Sequence, residues 1–156
     1  MRSALAALLA LAAPVTAQTL PDIPEVRRIV GTYADRCAAE TGGGTLDIED
    51  GAFTEVDLDG DARTADMVVD FNHVFCSRAV SLWSGSGGSP VHLVVGDESG
   101  EVFGGPWQIV DFGNEVPTRV FLIGVHGSQC DGYGAQACVR AVVFDGGIFS
   151  TQPYPE

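Results

Sequence analysis

Three aspartates at alternate positions, Asp57, Asp59 and Asp61, fall in a stretch that reads as strand, acidic turn, strand: Val56-Asp57-Leu58-Asp59-Gly60-Asp61-Ala62-Arg63-Thr64-Ala65-Asp66-Met67-Val68-Val69-Asp70. Carboxylates are hard oxygen donors, and Ca²⁺ takes about six to eight oxygens with several carboxylates among them. A tight turn aims alternate side chains inward while backbone carbonyls, here that of Arg63, fill the gaps. The spacing therefore points to calcium. It is not the spacing of an EF-hand: counted from Asp57, the sixth residue is Ala62 and the twelfth is Val68, where that loop needs glycine and a bidentate glutamate. The competing reading is a solvated hairpin whose aspartates hydrogen-bond their own backbone.

Other residues capable of chemistry are sparse. His73, His92 and His126 are the only histidines, and Ser128 and Asp131 follow the last one closely. A small hydrolase using His126, Ser128 and a distant carboxylate is conceivable. No Gly-x-Ser-x-Gly elbow, His-Glu-x-x-His pair or Cys-x-x-Cys pair occurs, so neither a serine hydrolase nor a zinc site is specified. The expectation is a non-catalytic protein. Trp83, Trp107 and Tyr133 stand in or beside glycine turns and are the candidate recognition residues, with core packing as the alternative use of such rings.

The acidic segment resembles the Asp-x-Asp-Gly-Asp-Gly-x-x-Asp loops of the FG-GAP and VCBS-type extracellular repeats, in which the loop joins two strands and coordinates calcium. The resemblance implies Asp57, Asp59 and Asp61 as ligands, with Asp66 closing the site. The chain departs from the pattern at Ala62, where glycine is usual, and at Ala65, since the final aspartate is displaced by one position. Phe103-Gly104-Gly105-Pro106 matches the FG-GAP signature once, after the acidic loop and not before it, so no repeated propeller is implied. Ser84-Gly85-Ser86-Gly87-Gly88-Ser89 is similar to a Cys-Gly-Ser-Gly-Gly-Cys turn of small secreted bacterial proteins that also carry an acidic strand-loop-strand segment. Both cysteine positions are serine here. That likeness implies fold and location and brings no activity with it.

These residues need a scaffold, and the sequence supplies a mostly β one. Between Pro21 and Glu40 the residues Val26, Ile29, Val30, Tyr33 and Cys37 recur at helical spacing, with Asp22 as the expected cap and Pro24 in the first turn. Gly42-Gly43-Gly44 ends this helix. Short strands are expected over 45–49, 53–58, 66–72, 79–83, 91–95, 107–112, 118–126, 139–144 and 148–151, separated by Gly, Pro, Asn and Asp. The connections are too short for crossover helices. The fold class that follows is mainly β, an antiparallel sheet or sandwich with one N-terminal helix, with α+β as the alternative.

The first residues fix the expected compartment. Arg2 precedes a small-apolar run from Ser3 to Ala13, then Pro14 and Val15-Thr16-Ala17, which is the form of a signal peptide over 1–17 cleaved before Gln18. Residues 18–156 are then one disulfide-stapled β-rich domain, periplasmic or secreted, with no membrane span. Cys37, Cys76, Cys130 and Cys138 allow three pairings. We favour Cys130 with Cys138, which bracket a glycine-rich segment, leaving Cys37 for Cys76. The chain has no Lys, and its formal net charge is -13. Nucleic acid and anionic membranes are therefore poor partners, since both are bound by cationic side chains. An unidentified protein or small ligand remains. An inhibitor or partner-binding protein, presenting its acidic surface and the loop from Cys130 to Cys138, is the alternative to an accessory module with a structural calcium loop.

Overall fold

The computed structural model describes residues 18–150, apart from 62, 114–118, 135, 137, 146 and 147. The expected signal peptide over 1–17 and tail over 152–156 lie outside the described residues, as do the strand ends expected at Thr118 and Thr151.

Helix α1 spans Pro24–Thr41, with proline in its first turn, where a missing N–H costs nothing. Asp22 does not cap it. The N-cap is Ile23, which offers no side-chain bond, and Asp22 instead pairs with Arg27 at 2.7 Å on the surface. Gly42 closes the helix in the left-handed region (φ 66°), its N–H donating to the Ala38 carbonyl. The buried stripe is Val26, Ile29, Val30 and Cys37, as the spacing requires.

Among the described residues ten strands follow: β1 Leu46–Ile48, β2 Phe53–Val56, β3 Asp66–Asp70, β4 Val74–Cys76, β5 Ser89–Val95, β6 Glu98–Gly104, β7 Trp107–Asp111, β8 Arg119–Val125, β9 Cys138–Asp145 and β10 Ile148–Ser150. They form three antiparallel sheets, ordered β1-β4, β2-β3-β5-β6 and β10-β9-β8-β7. The fold is thus mainly β with one helix near the N-terminus. The β2-β3-β5-β6 sheet is covered on both faces, and strand alternation sorts its residues between two cores. Met67, Val69 and Val94 pack with Val26, Ile29, Phe71 and Trp83 on the helix side. Val68, Val91, Leu93 and Val102 pack with Phe121, Ile123 and Val142 of the other sheet. Burial on both sides explains why β3 and β5 lack polar alternation, and each fully buried side chain contributes about 1.5–3 kcal/mol.

Two strands arise where none was expected, and one expected strand is absent. Residues 98–104 form β6 although they read Glu-Ser-Gly-Glu, because β6 is an edge strand whose outer positions stay in water. β4 follows a single turn of 3-10 helix, Phe71–His73, that breaks the expected run over 66–72. Residues 79–83 are turns, and Trp83 leaves them to enter the helix-side core. The favoured disulfides are both present, Cys37–Cys76 and Cys130–Cys138. The first ties α1 to β4. Closing its longer loop contributes about 4 kcal/mol in the chain-entropy account, and closing the shorter one about 2.5 kcal/mol.

In the turn from Ser84 to Ser89 the two end serines are in contact, Ser89 Oγ donating to Ser84 Oγ at 2.9 Å. Gly88 is required there. Its φ is 102°, and a Cβ would stand 1.9 Å from the Gly104 carbonyl oxygen.

Candidate functional site

The acidic loop joins β2 to β3, and strand register decides which carboxylates meet. Asp66 pairs with Val56 at the closing end of the β2-β3 ladder, on the same strand face as Val68 and Asp70. That face is the one turned toward the β7-β8-β9 layer. Asp66 is completely buried in consequence and Leu58 is buried too, whereas Gly60 and residues 63–65 of the loop are exposed.

Asp57, Asp59 and Asp66 converge, one oxygen from each lying within 4.8 Å of the others. Each also braces the loop. Gly60 N–H donates to Asp57 Oδ1 at 2.6 Å, Asp61 N–H to Asp59 Oδ1 at 2.7 Å, and Leu58 N–H to Asp66 Oδ2 at 2.7 Å. The backbone-bracing use of aspartate and the clustering of carboxylates therefore occur together. Asp61 is not part of the cluster. Arg63, two residues on, takes its carboxylate in a two-pronged contact at 2.8 and 2.9 Å, which lowers the Asp61 pKa.

Asp66 is the least satisfied member. Its Oδ1 is sealed from solvent and has no hydrogen-bond partner among the described residues. Burial pushes its pKa up and the carboxylates of Asp59 and Asp57 add to the rise, while the backbone N–H groups of Leu58 and Asp59 oppose it. A divalent cation between the three carboxylates would cancel their repulsion. The residues present fit calcium on that ground: three hard oxygen donors, one of them on a fully buried side chain, on a glycine-containing turn.

One residue of this site escaped the sequence reading. Arg119, at the start of β8, donates to Asp57 Oδ2 at 3.3 Å and lies 3.1 Å from Asp111. It bridges the acidic loop to the neighbouring sheet. The available signal was parity: Arg119 shares the inward register of Phe121, Ile123 and Val125, where a charged side chain needs a partner.

The other candidates separate. Trp83 is buried, its Nε1–H donating to the Val74 carbonyl at 2.8 Å while its ring meets Tyr33 and Phe71 edge-on. Trp107 is half-buried, stacked on Phe121 and bonded through Nε1–H to Asp70 at 2.9 Å. Tyr133 is open, 73% exposed, on the loop closed by Cys130–Cys138. His126 and Ser128 are close, Nδ1 to Oγ 2.7 Å, in a local arrangement that caps the 3-10 turn Gly127–Cys130. Its Nε2 faces Gly134, where a Cβ would stand 2.5 Å away, and among the described residues no carboxylate hydrogen-bonds His126. The serine and histidine of the hydrolase reading thus meet without the third group.

No helix among the described residues is long and apolar enough to cross a membrane. The chain matches no family model, no curated protein and no solved structure.

Proposed function

We propose that this protein is an exported, non-catalytic binding or accessory module whose loop over residues 57–66 binds calcium through Asp57, Asp59 and Asp66. The observation that carries the reading is the convergence of Asp57 and Asp59 on the fully buried Asp66, whose Oδ1 makes no hydrogen bond among the described residues. A loop built only to solvate a hairpin has no reason to bury a carboxylate among others. Calcium here is structural: it would fix the turn between β2 and β3 and, through Asp57 and Arg119, the contact with β8. Export to the periplasm or the exterior is supported by the apolar leader of the sequence and by two disulfides with no free cysteine. Such surroundings hold calcium at millimolar levels, in keeping with the affinity on the order of 0.1–1 mM typical of extracellular loops. Isothermal titration with Ca²⁺ checks this. A saturable isotherm in that range, abolished in Asp66→Asn, is expected, and a flat isotherm for the wild-type protein at millimolar calcium disproves it.

The exposed Tyr133 supports a second reading, in which the disulfide-closed loop and acidic surface engage a basic protein partner. Capture from periplasmic extract should then fall with rising salt and with Tyr133→Ala. Capture that ignores both removes this reading.

A further inference from the structure

Between α1 and β6 lies an open cleft of about 390 Å³, within the size range of small-molecule sites and built from residues other than those of the acidic loop. Its helix wall carries Tyr33 and Arg36. Its sheet wall carries Glu101, and the imidazole of His92 on β5 lies behind it. The cleft is braced at one side: Glu25 accepts two hydrogen bonds from Arg28 and one from the Ser99 hydroxyl, tying the helix to β6. That contact links the two walls before any ligand arrives.

The opposite charges within it are not spent on each other. Arg36 pairs through Nε with Glu40 at 2.7 Å, and its two terminal nitrogens make no hydrogen bond among the described residues. Among the described residues Glu101 receives only long contacts, from the Tyr33 hydroxyl at 3.3 Å and from His92 Nε2 at 3.5 Å. Both exceed the roughly 2.8 Å of a good hydrogen bond to a carboxylate. His92 has more than nine-tenths of its side chain buried, and its Nε2 has no hydrogen-bond partner. Burial pushes the His92 pKa down, with Glu101 opposing. No ion pair joins Arg36 to Glu101 across the gap. A carboxylate and a guanidinium lining one cleft, neither paired with the other, match a ligand that carries ammonium and carboxylate together.

We propose that this cleft binds a free α-amino acid, its ammonium on Glu101 and its carboxylate on the terminal nitrogens of Arg36. The ring of Tyr33 and the side chain of Ile29 give its apolar part a surface to rest on. The site needs no calcium, so it stands whether or not the acidic loop binds a metal.

The test is a ¹H–¹⁵N NMR titration of the purified protein in excess chelator, with L-leucine, 3-methylbutylamine and 4-methylpentanoate, which share one side chain and carry both charges, the cation alone and the anion alone. L-leucine up to about 20 mM should give saturable shifts centred on Tyr33, His92 and Glu101, and each single-charge probe should bind at least about tenfold more weakly. Glu101→Gln and Arg36→Gln, both on partly exposed side chains, should each weaken leucine about tenfold while the rest of the spectrum is unchanged. Absence of saturable shifts, equal binding of the three probes, or unchanged affinity in both variants overturns the proposal. If either variant fails to fold, discrimination among the probes by the wild-type protein decides it alone.

Discussion

At the scale of single residues, Asp66 carries the sharpest consequence, because its environment penalises charge unless a cation is present. A carboxyl whose folded pKa is raised leaves the native state holding more protons than the unfolded chain. Its contribution to stability therefore falls as pH climbs from the usual carboxylate value through the raised one, and stays lower above it. In chelator, Asp66→Asn should gain on the wild-type protein across that rise and be the more stable of the two at pH 7, by on the order of 1 kcal/mol. In millimolar calcium the order should reverse. Thermal melts of both proteins at pH 4 and pH 7, with calcium and with chelator, read this directly, and an unchanged order in all four conditions contradicts it. The alternate spacing made Asp57 and Asp59 legible as partners, and the likeness to calcium loops supplied Asp66. The diversion of Asp61 was harder to see, although Arg63 stood two residues away, because side-chain pairing competes with inward orientation only once the turn has a shape.

At the scale of elements, the acidic loop is held by sheets that must stay in register, and Asp70 is the group that joins them. Buried at the end of β3, it accepts from Trp107 Nε1–H on β7 at 2.9 Å and from the backbone and side-chain nitrogens of Asn72 at 2.9 and 2.7 Å. Asn72 in turn donates to the Gly104 carbonyl on β6 at 3.0 Å. Trp107→Phe removes one donor from a buried carboxylate and should cost about 2 kcal/mol, whereas Asp70→Ala strands several donors and should cost about 3 kcal/mol or more. Denaturant melts of both variants and of the double variant test the link. Coupling of about 1 kcal/mol or more is expected, and strict additivity would mean that this bond does not hold the layers together. Strands such as β3 and β5 were visible because burial on both faces demands unbroken apolar runs. β6 was not, since an edge strand with one wet face can be written in Glu, Ser and Gly. Trp83 shows the complementary error: an apolar residue in a Ser-Leu-Trp-Ser run suggested a strand, yet one ring reaching the core from a turn satisfies the same pattern.

At the scale of the whole molecule, a chain with a net charge of -13 and no Lys repels itself when compact, and its few arginines answer this only locally, as Arg119 does between Asp57 and Asp111. Two disulfides oppose that repulsion by restricting the unfolded chain. Diffuse repulsion and a specific metal loop respond differently to ions. Sodium chloride raised from about 10 to 150 mM shortens the Debye length from about 30 to 8 Å and should raise the melting temperature by screening alone. Calcium at about 2 mM adds little ionic strength, so in a background of about 150 mM salt screening predicts almost no further change. Binding at the expected affinity predicts a further rise of about 2–6 °C. Magnesium at the same concentration should fall short of this, because it keeps its waters and asks for a near-ideal octahedron that three carboxylates on a turn do not offer. Melting curves in salt alone, with calcium and with magnesium separate the two effects. Equal curves in all three would leave the acidic loop as part of the general charge of the surface, with Asp66 buried at a cost that no ion relieves.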